Sequence, residues 1–221
     1  MKLFEFEAKD ILRQYGIAAP RGRVAGDPDE AGRVAEEIGK PVVLKSQILV
    51  SGRGKSGGIV FANDAGEARR VASKLLGSTI KGSLVNSLLV EEKLDIVEQL
   101  YASIIIDRQA RRYVVLTSTS GGVDIEEVAL TSPERIVRYW IDPAVGFSRH
   151  AAEAMTAQFS DISQDDADKF ASIIDTLYKV AIDYDAELVE INPLARAPSG
   201  EFVAADARII VDDNAIFRHP E

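Results

Sequence analysis

The chain has 221 residues, 46% of them hydrophobic and 28% charged, enough for a substantial core in one large domain or two small ones. A formal net charge of −9 argues against a general nucleic-acid binder or a protein drawn to anionic membranes, and no run is apolar enough for a signal peptide or a membrane span. With no cysteine and only two histidines, His150 and His219, disulfides, thiolate metal sites, a cysteine nucleophile and a multi-histidine metal site are set aside, and the chain reads as cytoplasmic.

Phe4, Ala8, Ile11, Leu12 and Tyr15 recur at helical spacing, with Gly16 as the stop. Asp27-Pro28-Asp29-Glu30 combines a cap, a first-turn proline and a capping-box glutamate ahead of an apolar face of Ala31, Val34, Ala35 and Ile38, closed by Gly39. Pro41–Lys45 and Ile59–Phe61 are predicted strands on either side of a glycine-rich loop. Asp64 caps a predicted helix through Ala68, Val71, Ala72, Leu75 and Leu76 that ends at Gly77, and Leu88–Glu91 is strand-like. In the second half, Ala102–Asp107 and Tyr113–Thr117 form a predicted hairpin whose polar turn holds Arg108, Arg111 and Arg112. Ser118–Gly122 is a small-residue loop, Glu134–Ile141 a strand with Trp140 as its aromatic anchor, and Ser148–Gln158 a helix. Ser163 with Asp166 opens a strong helix carrying Phe170, Ile173, Ile174, Leu177 and Ala181. Leu188–Ile191 and Phe202–Ala207 pair around a turn containing Pro193 and Ser199-Gly200. The fold class is α/β or α+β with mixed sheets.

The stretch Val42–Gly58 carries the first candidate site. An apolar run delivers Lys45, and a loop follows with Gly52, Arg53, Gly54, Lys55, Gly57 and Gly58. Glycine lets backbone N–H groups approach oxygen closely and the cations neutralise charge, so the loop suits a polyphosphate; a plain surface loop is the competing reading. Gly54-Lys55-Ser56 is not a Walker A sequence, because Leu49 stands where its first glycine is due. Gly52, Gly54 and Gly57 match the dinucleotide fingerprint, but that motif opens a helix, whereas here Ile59-Val60-Phe61 is strand-like. Strand, glycine loop and strand form a hairpin flap of the kind that covers phosphates.

Glu190 and Asn192 lie two apart on one strand and share a face, and Asp206 on the next strand can come beside Asn192. Oxygen ligands that leave room for waters and phosphate suit Mg²⁺; the alternative is an exposed polar face. Glu91, at the end of a strand, either accepts hydrogen bonds from a nucleoside or belongs to a solvated acidic connector.

Lys45, the Gly52–Lys55 loop with Gly57-Gly58, Leu89–Glu91, Ser118–Glu126 (STSGGVDIE), Leu188–Leu194 (LVEINPL) and Asp213–Arg218 occur together in order and spacing that resemble the succinyl-CoA synthetase β-subunit family of ATP-grasp proteins. Phe4–Lys9 resembles that family's opening as well, so the resemblance covers the whole chain. It implies an ATP-grasp fold of two subdomains gripping a nucleotide, with Pro20–Leu100 as the smaller lobe and residues 1–19 plus 101–221 as the larger. Lys45 would contact phosphate, Gly52, Arg53, Gly54 and Lys55 would form the flap, and Glu91, Leu94 and Gln99 would contact the nucleotide. Asn192 and Asp206 would bind Mg²⁺, and Glu190 would help position a histidine phosphorylated on a CoA-binding α subunit. The substrate would be ATP, or GTP, with Pro20 leaning towards ATP. The implied activity is acid–CoA ligation, NDP-forming, with no nucleic-acid or membrane partner.

Gln99 stands where relatives carry a nucleotide-contacting glutamate, with Glu98 beside it, and Ser120 replaces an acidic residue of the glycine-glycine loop. The family's β subunit continues beyond the part matched here, so the chain is expected to be a piece of a longer subunit or a split subunit. Malate– and citrate–CoA ligases share this lobe. A self-contained carboxylate–amine ligase would need an acyl-acceptor site that the residues do not offer. A non-catalytic nucleotide-binding or assembly module is the reading from another class.

Overall fold

The computed structural model describes residues 1–50 and 52–219. Helix α1 (Glu5–Gln14) is followed by β1 (Gly22–Ala25), α2 (Pro28–Ile38), β2 (Val42–Ser46), β3 (Ile59–Ala62), α3 (Ala65–Leu75), the short strands β4 (Thr79–Ile80) and β5 (Ser83–Leu84), and β6 (Leu88–Glu92). Then come β7 (Glu98–Asp107), β8 (Arg112–Ser118), α4 (Ile125–Thr131), β9 (Ile136–Trp140), α5 (Arg149–Thr156), α6 (Gln164–Asp183), β10 (Ala186–Arg196), β11 (Phe202–Ala204) and β12 (Ala207–Val211). The chain divides into two compact units, Pro20–Leu94 and Met1–Ala19 with Asp95–Glu221. The division falls before Leu100 because β7 starts at Glu98 and pairs with β10 from there.

In the smaller unit the sheet order is β1-β6-β2-β3. Helices α2 and α3 start where their caps dictate. Asp27 accepts from the Glu30 N–H at 2.7 Å and Asp64 from the Glu67 N–H at 2.7 Å, while each glutamate reaches back to the residue before the cap. Their small apolar faces (Ala31, Val34, Ala35; Ala68, Ala72) pack on Val42, Leu44, Leu88 and Val90. Burying each of those strand side chains contributes about 1.5–3 kcal/mol.

The larger unit has the sheet order β11-β10-β7-β8-β9, with β12 also paired to β10. Leu12 of α1 and Phe170, Ile174 and Leu177 of α6 cover one face, against Ala102, Ile104, Val189, Ile191 and Ile209. Among the described residues no helix is long and apolar enough to cross a membrane.

Three expectations need correction. The sheets are not mixed in strand direction: every described pairing is antiparallel. Helix crossovers do join parallel strands, β1 to β2 and β3 to β6, but β6 is inserted between β1 and β2, and β2 between β3 and β6. Trp140 is not an internal anchor; it is 46% exposed and its indole N–H donates to Asp107 at 2.8 Å across the β7–β8 turn. Pro193 is not in a turn: β10 runs through it to Arg196 with a register shift between Ile191 and Leu194, and the chain reverses at Ala197–Glu201.

After α6, Asp185 takes a left-handed φ of 46° and its carboxylate accepts from the Arg218 guanidinium at 2.8 and 3.0 Å, with the His219 ring 2.9 Å away. Hydrogen bonding to His219 and then to Arg218 holds this carboxyl below the usual carboxylate value. A depressed folded-state value means that the stabilisation is full above the unfolded carboxylate range, near pH 4, and is lost as pH falls through the lower folded value. Asp185→Asn keeps a residue that tolerates positive φ, so it isolates the charge. Thermal melts are expected to show a lower Tm for this variant at pH 7 and a gap that narrows on acidification. A gap independent of pH would contradict the assignment.

Candidate functional site

Strand alternation builds the first cluster. Val42 and Leu44 face the helices, so Val43 and Lys45 face the other way, and Val43 is opposite Glu91 on β6. Lys45 Nζ lies 3.0 Å from Glu91 Oε2, with the two side chains 8% and 0% exposed. The structure thus brings together two residues that the sequence offered from separate stretches.

Beyond Lys45 the chain turns through the glycine loop and returns as β3, antiparallel to β2. The loop is closed at its base, where the Ser46 N–H donates to the Gly58 carbonyl at 2.8 Å and the Gly58 N–H to the Arg53 carbonyl at 2.9 Å. Gly54–Ser56 form a 3-10 turn, and Gly52 and Gly57 adopt φ of 72° and 79°, which glycine accepts without strain. Arg53, expected as a charge-neutralising cation of the flap, is buried, and its Nη1 donates to the Ser46 carbonyl at 3.0 Å. Lys55 is exposed. Gln47, which the sequence did not single out, is buried and donates from its amide to the Lys45 carbonyl at 3.0 Å. Pro20 begins this unit and Leu94 ends it.

The second cluster lies in the larger unit, on the sheet face opposite α6. Glu190 is directly across from Arg208 on β12 and from Ser103 on β7. The Tyr101 hydroxyl donates to the Ser103 hydroxyl at 2.9 Å, and Ser103 is the residue across from Glu190. Burial pushes the Glu190 carboxyl up, and Asp206 adds to the effect, outweighing the opposing pull of Arg208 and Tyr101. Burial also raises the Tyr101 phenol, with Glu190 adding to it. Tyr101, Ser103 and Arg208 escaped the sequence reading; the signal that could have found them is their period-two placement on the strands that flank Glu190.

At the register shift in β10, the Asn192 N–H donates to the Asp206 carbonyl at 3.1 Å, but Asp206 lies in the bend between β11 and β12 and not on a strand as expected. The Asn192 carboxamide is clamped to the glycine-glycine loop: Oδ1 accepts from the Gly122 N–H at 2.7 Å and Nδ2 donates to the Val123 carbonyl at 2.9 Å. The Gly121 N–H donates to the Gln99 carbonyl at 2.7 Å, and a Cβ on Gly121 would lie 2.1 Å from the Leu100 carbonyl oxygen, so only glycine fits there. The Gln99 side chain lies over Gly122, and Ser120 accepts from Arg135 at 3.1 Å. His150 is fully solvated, with a side-chain exposure of 93%.

Among the described residues no three His, Cys, Asp or Glu side chains form a metal cage. Asn192 Oδ1 keeps a second lone pair beside the one that takes the Gly122 N–H, which makes it a hard oxygen donor. A lone amide oxygen of this kind fits Mg²⁺, which keeps waters and phosphate oxygens in its shell, and does not fit a metal that needs an all-protein site.

The chain matches a family model described as an ATP-grasp domain over residues 2–196. The β subunit of ADP-forming succinate–CoA ligase from Pyrobaculum islandicum is 47% identical over 223 residues, taking in 100% of this chain and 58% of the relative. The β subunit of the GDP-forming enzyme from Thermus thermophilus is 46% identical over 221 residues with the same coverage of 100% and 58%. The chain therefore spans less than two thirds of the length of these curated relatives. Among solved structures, dinucleotide forming acetyl-coenzyme A synthetase 1 of Ca. Korarchaeum cryptofilum, in complex with coenzyme A, Ca-AMPCP and HgCl+, matches with a TM-score of 0.74 at 23% identity over 96% of this chain and 93% of that one. ATP citrate lyase of Methanothrix soehngenii, with citrate and coenzyme A, matches with a TM-score of 0.75 at 19% identity over 98% of this chain and 52% of that one. At those identities the likeness is one of fold.

A raised carboxyl has the opposite linkage to Asp185. Its stabilising neutral form is present below the unfolded value and is lost as pH rises through the folded one. Glu190→Gln keeps the shape without the charge, so its Tm is expected to exceed the parent's at pH 8, with the excess vanishing near pH 4. A variant less stable than the parent at pH 8 would mean that pairing with Arg208 outweighs burial.

Proposed function

This chain belongs to the ATP-grasp domain family, and we propose that it is the nucleotide-binding part of the β subunit of succinate–CoA ligase (NDP-forming). In this reading it supports phosphoryl transfer from a nucleoside triphosphate to a histidine of a CoA-binding α subunit during thioester formation. The observation that carries the proposal is the buried Lys45–Glu91 pair at the foot of a closed glycine loop.

Phosphoryl transfer needs positioning and charge neutralisation more than covalent help from the protein. Lys45, held by Glu91, contacts the polyphosphate. The Ser56, Gly57 and Gly58 N–H groups close the loop on itself, so phosphate binding falls to the N–H groups of Gly52–Lys55 and the Lys55 ammonium. Buried Arg53 acts by shaping the loop. Glu91, Leu94 and Gln99 contact the nucleoside, and Pro20 favours ATP over GTP. Asn192 and Asp206 would hold Mg²⁺, which supplies charge neutralisation when bound. Glu190, set across from Arg208 and Ser103 on the flanking strands, orients the histidine that accepts the phosphoryl group. The amino acids named here contain no thiol and no accepting histidine, which fits a reaction whose thiol comes from CoA and whose histidine comes from the α subunit.

In the assembled ligase, Lys45→Ala and Asp206→Ala are each expected to lower phosphohistidine formation at least about 100-fold, the scale on which single electrostatic contacts to a transition state act. Circular dichroism should be unchanged. Normal phosphoenzyme levels with either variant would overturn its role. A screen of succinate, malate and citrate with the same preparation tests the acid, with succinate expected to give thioester and the other two little.

A further inference from the structure

The β4–β5 hairpin carries a cation that the reading above does not use. Thr79–Ile80 and Ser83–Leu84 pair antiparallel across Lys81-Gly82, whose φ values of 49° and 80° are both left-handed. Two-residue hairpin turns of this kind favour asparagine, aspartate or glycine at the first position, so a lysine there is held against its backbone preference. The hairpin is firmly seated. The Gly77 N–H donates to the Val85 carbonyl at 2.9 Å, the Val85 N–H to the Ser78 carbonyl at 2.9 Å, and Ile80 is buried in the core of the smaller unit.

Its tip lies over both ends of the glycine loop. A Cβ built on Gly58 would be 3.2 Å from Ile80 Cδ1, and a Cβ built on Gly52 would be 2.8 Å from Lys81 Nζ. The ammonium thus occupies space that stays open only because position 52 has no side chain. Lys81 is exposed, as Lys55 is. In a chain of net charge −9, a cation set at the foot of such a loop is a local attractor for a polyanion.

We propose that Lys81 is a polyphosphate-binding residue, held over Gly52 by the β4–β5 hairpin so that its ammonium contacts the phosphate chain of a nucleotide at the glycine loop. The proposal rests on the nucleotide-binding reading and adds a contact to it from a separate element. An ammonium is a compact donor with rotatable N–H groups, and a glycine beneath it lets a phosphate oxygen come close.

The test is calorimetric titration of the parent, Lys81→Asn and Lys81→Arg with Mg-ATP and, separately, with AMP. Asparagine tolerates positive φ and removes the charge, and circular dichroism checks the fold. Lys81→Asn is expected to weaken Mg-ATP binding about tenfold, the loss of one charge-assisted hydrogen bond, while AMP affinity stays the same and Lys81→Arg recovers most of the loss. If the parent and Lys81→Asn bind Mg-ATP equally, the proposal falls and the nucleotide site stands. If Lys81→Asn weakens both nucleotides alike, the effect is structural and the proposal also falls. If the parent does not bind Mg-ATP, the nucleotide-binding reading falls and takes the proposal with it.

Discussion

A buried lysine facing a buried glutamate is a costly way to build a sheet. Removing each ion from water costs several kcal/mol, and a well-packed hydrophobic pair in its place is often neutral or stabilising. The smaller unit nevertheless holds Lys45 and Glu91 3.0 Å apart on the face of β2 and β6 that α2 and α3 do not cover. The fold does not need the pair for packing, because Val42, Leu44, Leu88 and Val90 already supply the helix-facing side. What the pair provides is a cation with its counter-charge set, at the strand end that leads into the glycine loop. The topology makes this possible: β6 is inserted between β1 and β2, so Glu91 pairs beside a strand far from it in sequence.

The larger unit repeats the design with the opposite chemistry. Helices cover the face of Val189 and Ile191, and alternation presents Glu190 on the other, between Ser103 and Arg208. The register shift at Asn192 and Pro193 breaks the ladder where Asn192 meets Asp206 and clamps the Gly121-Gly122 loop. One unit therefore offers cations and loop N–H groups, and the other offers carboxylate and amide oxygens.

Local signals were legible wherever the chemistry is local. Asp27, Asp64, Ser148 and Ser163 cap the helices they precede in the sequence, and short apolar runs mark the strands that bear Lys45, Glu91 and Glu190. What escaped depends on contacts distant in sequence. The insertion of β6 turned an expected mixture of strand directions into antiparallel pairs. A hydrogen bond to Asp107 keeps Trp140 at the surface. Pro193 suggested a turn because proline cannot serve a regular ladder, yet it sits where the ladder is already shifted. Arg53 was legible as a loop cation but not as a buried donor to Ser46, and Lys81 was invisible because nothing in its neighbourhood of sequence points to Gly52.

The claim at the centre of this account is that a nucleotide binds at the Lys45 glycine loop of the smaller unit. Amide hydrogen exchange with and without saturating Mg-ATP tests it directly. The account predicts slowed exchange at Gly52–Gly58 and in β6 around Glu91, with the β7–β8 turn at Arg108–Arg111 unchanged. Unaltered exchange in both segments, or protection confined to other parts of the chain, would contradict it.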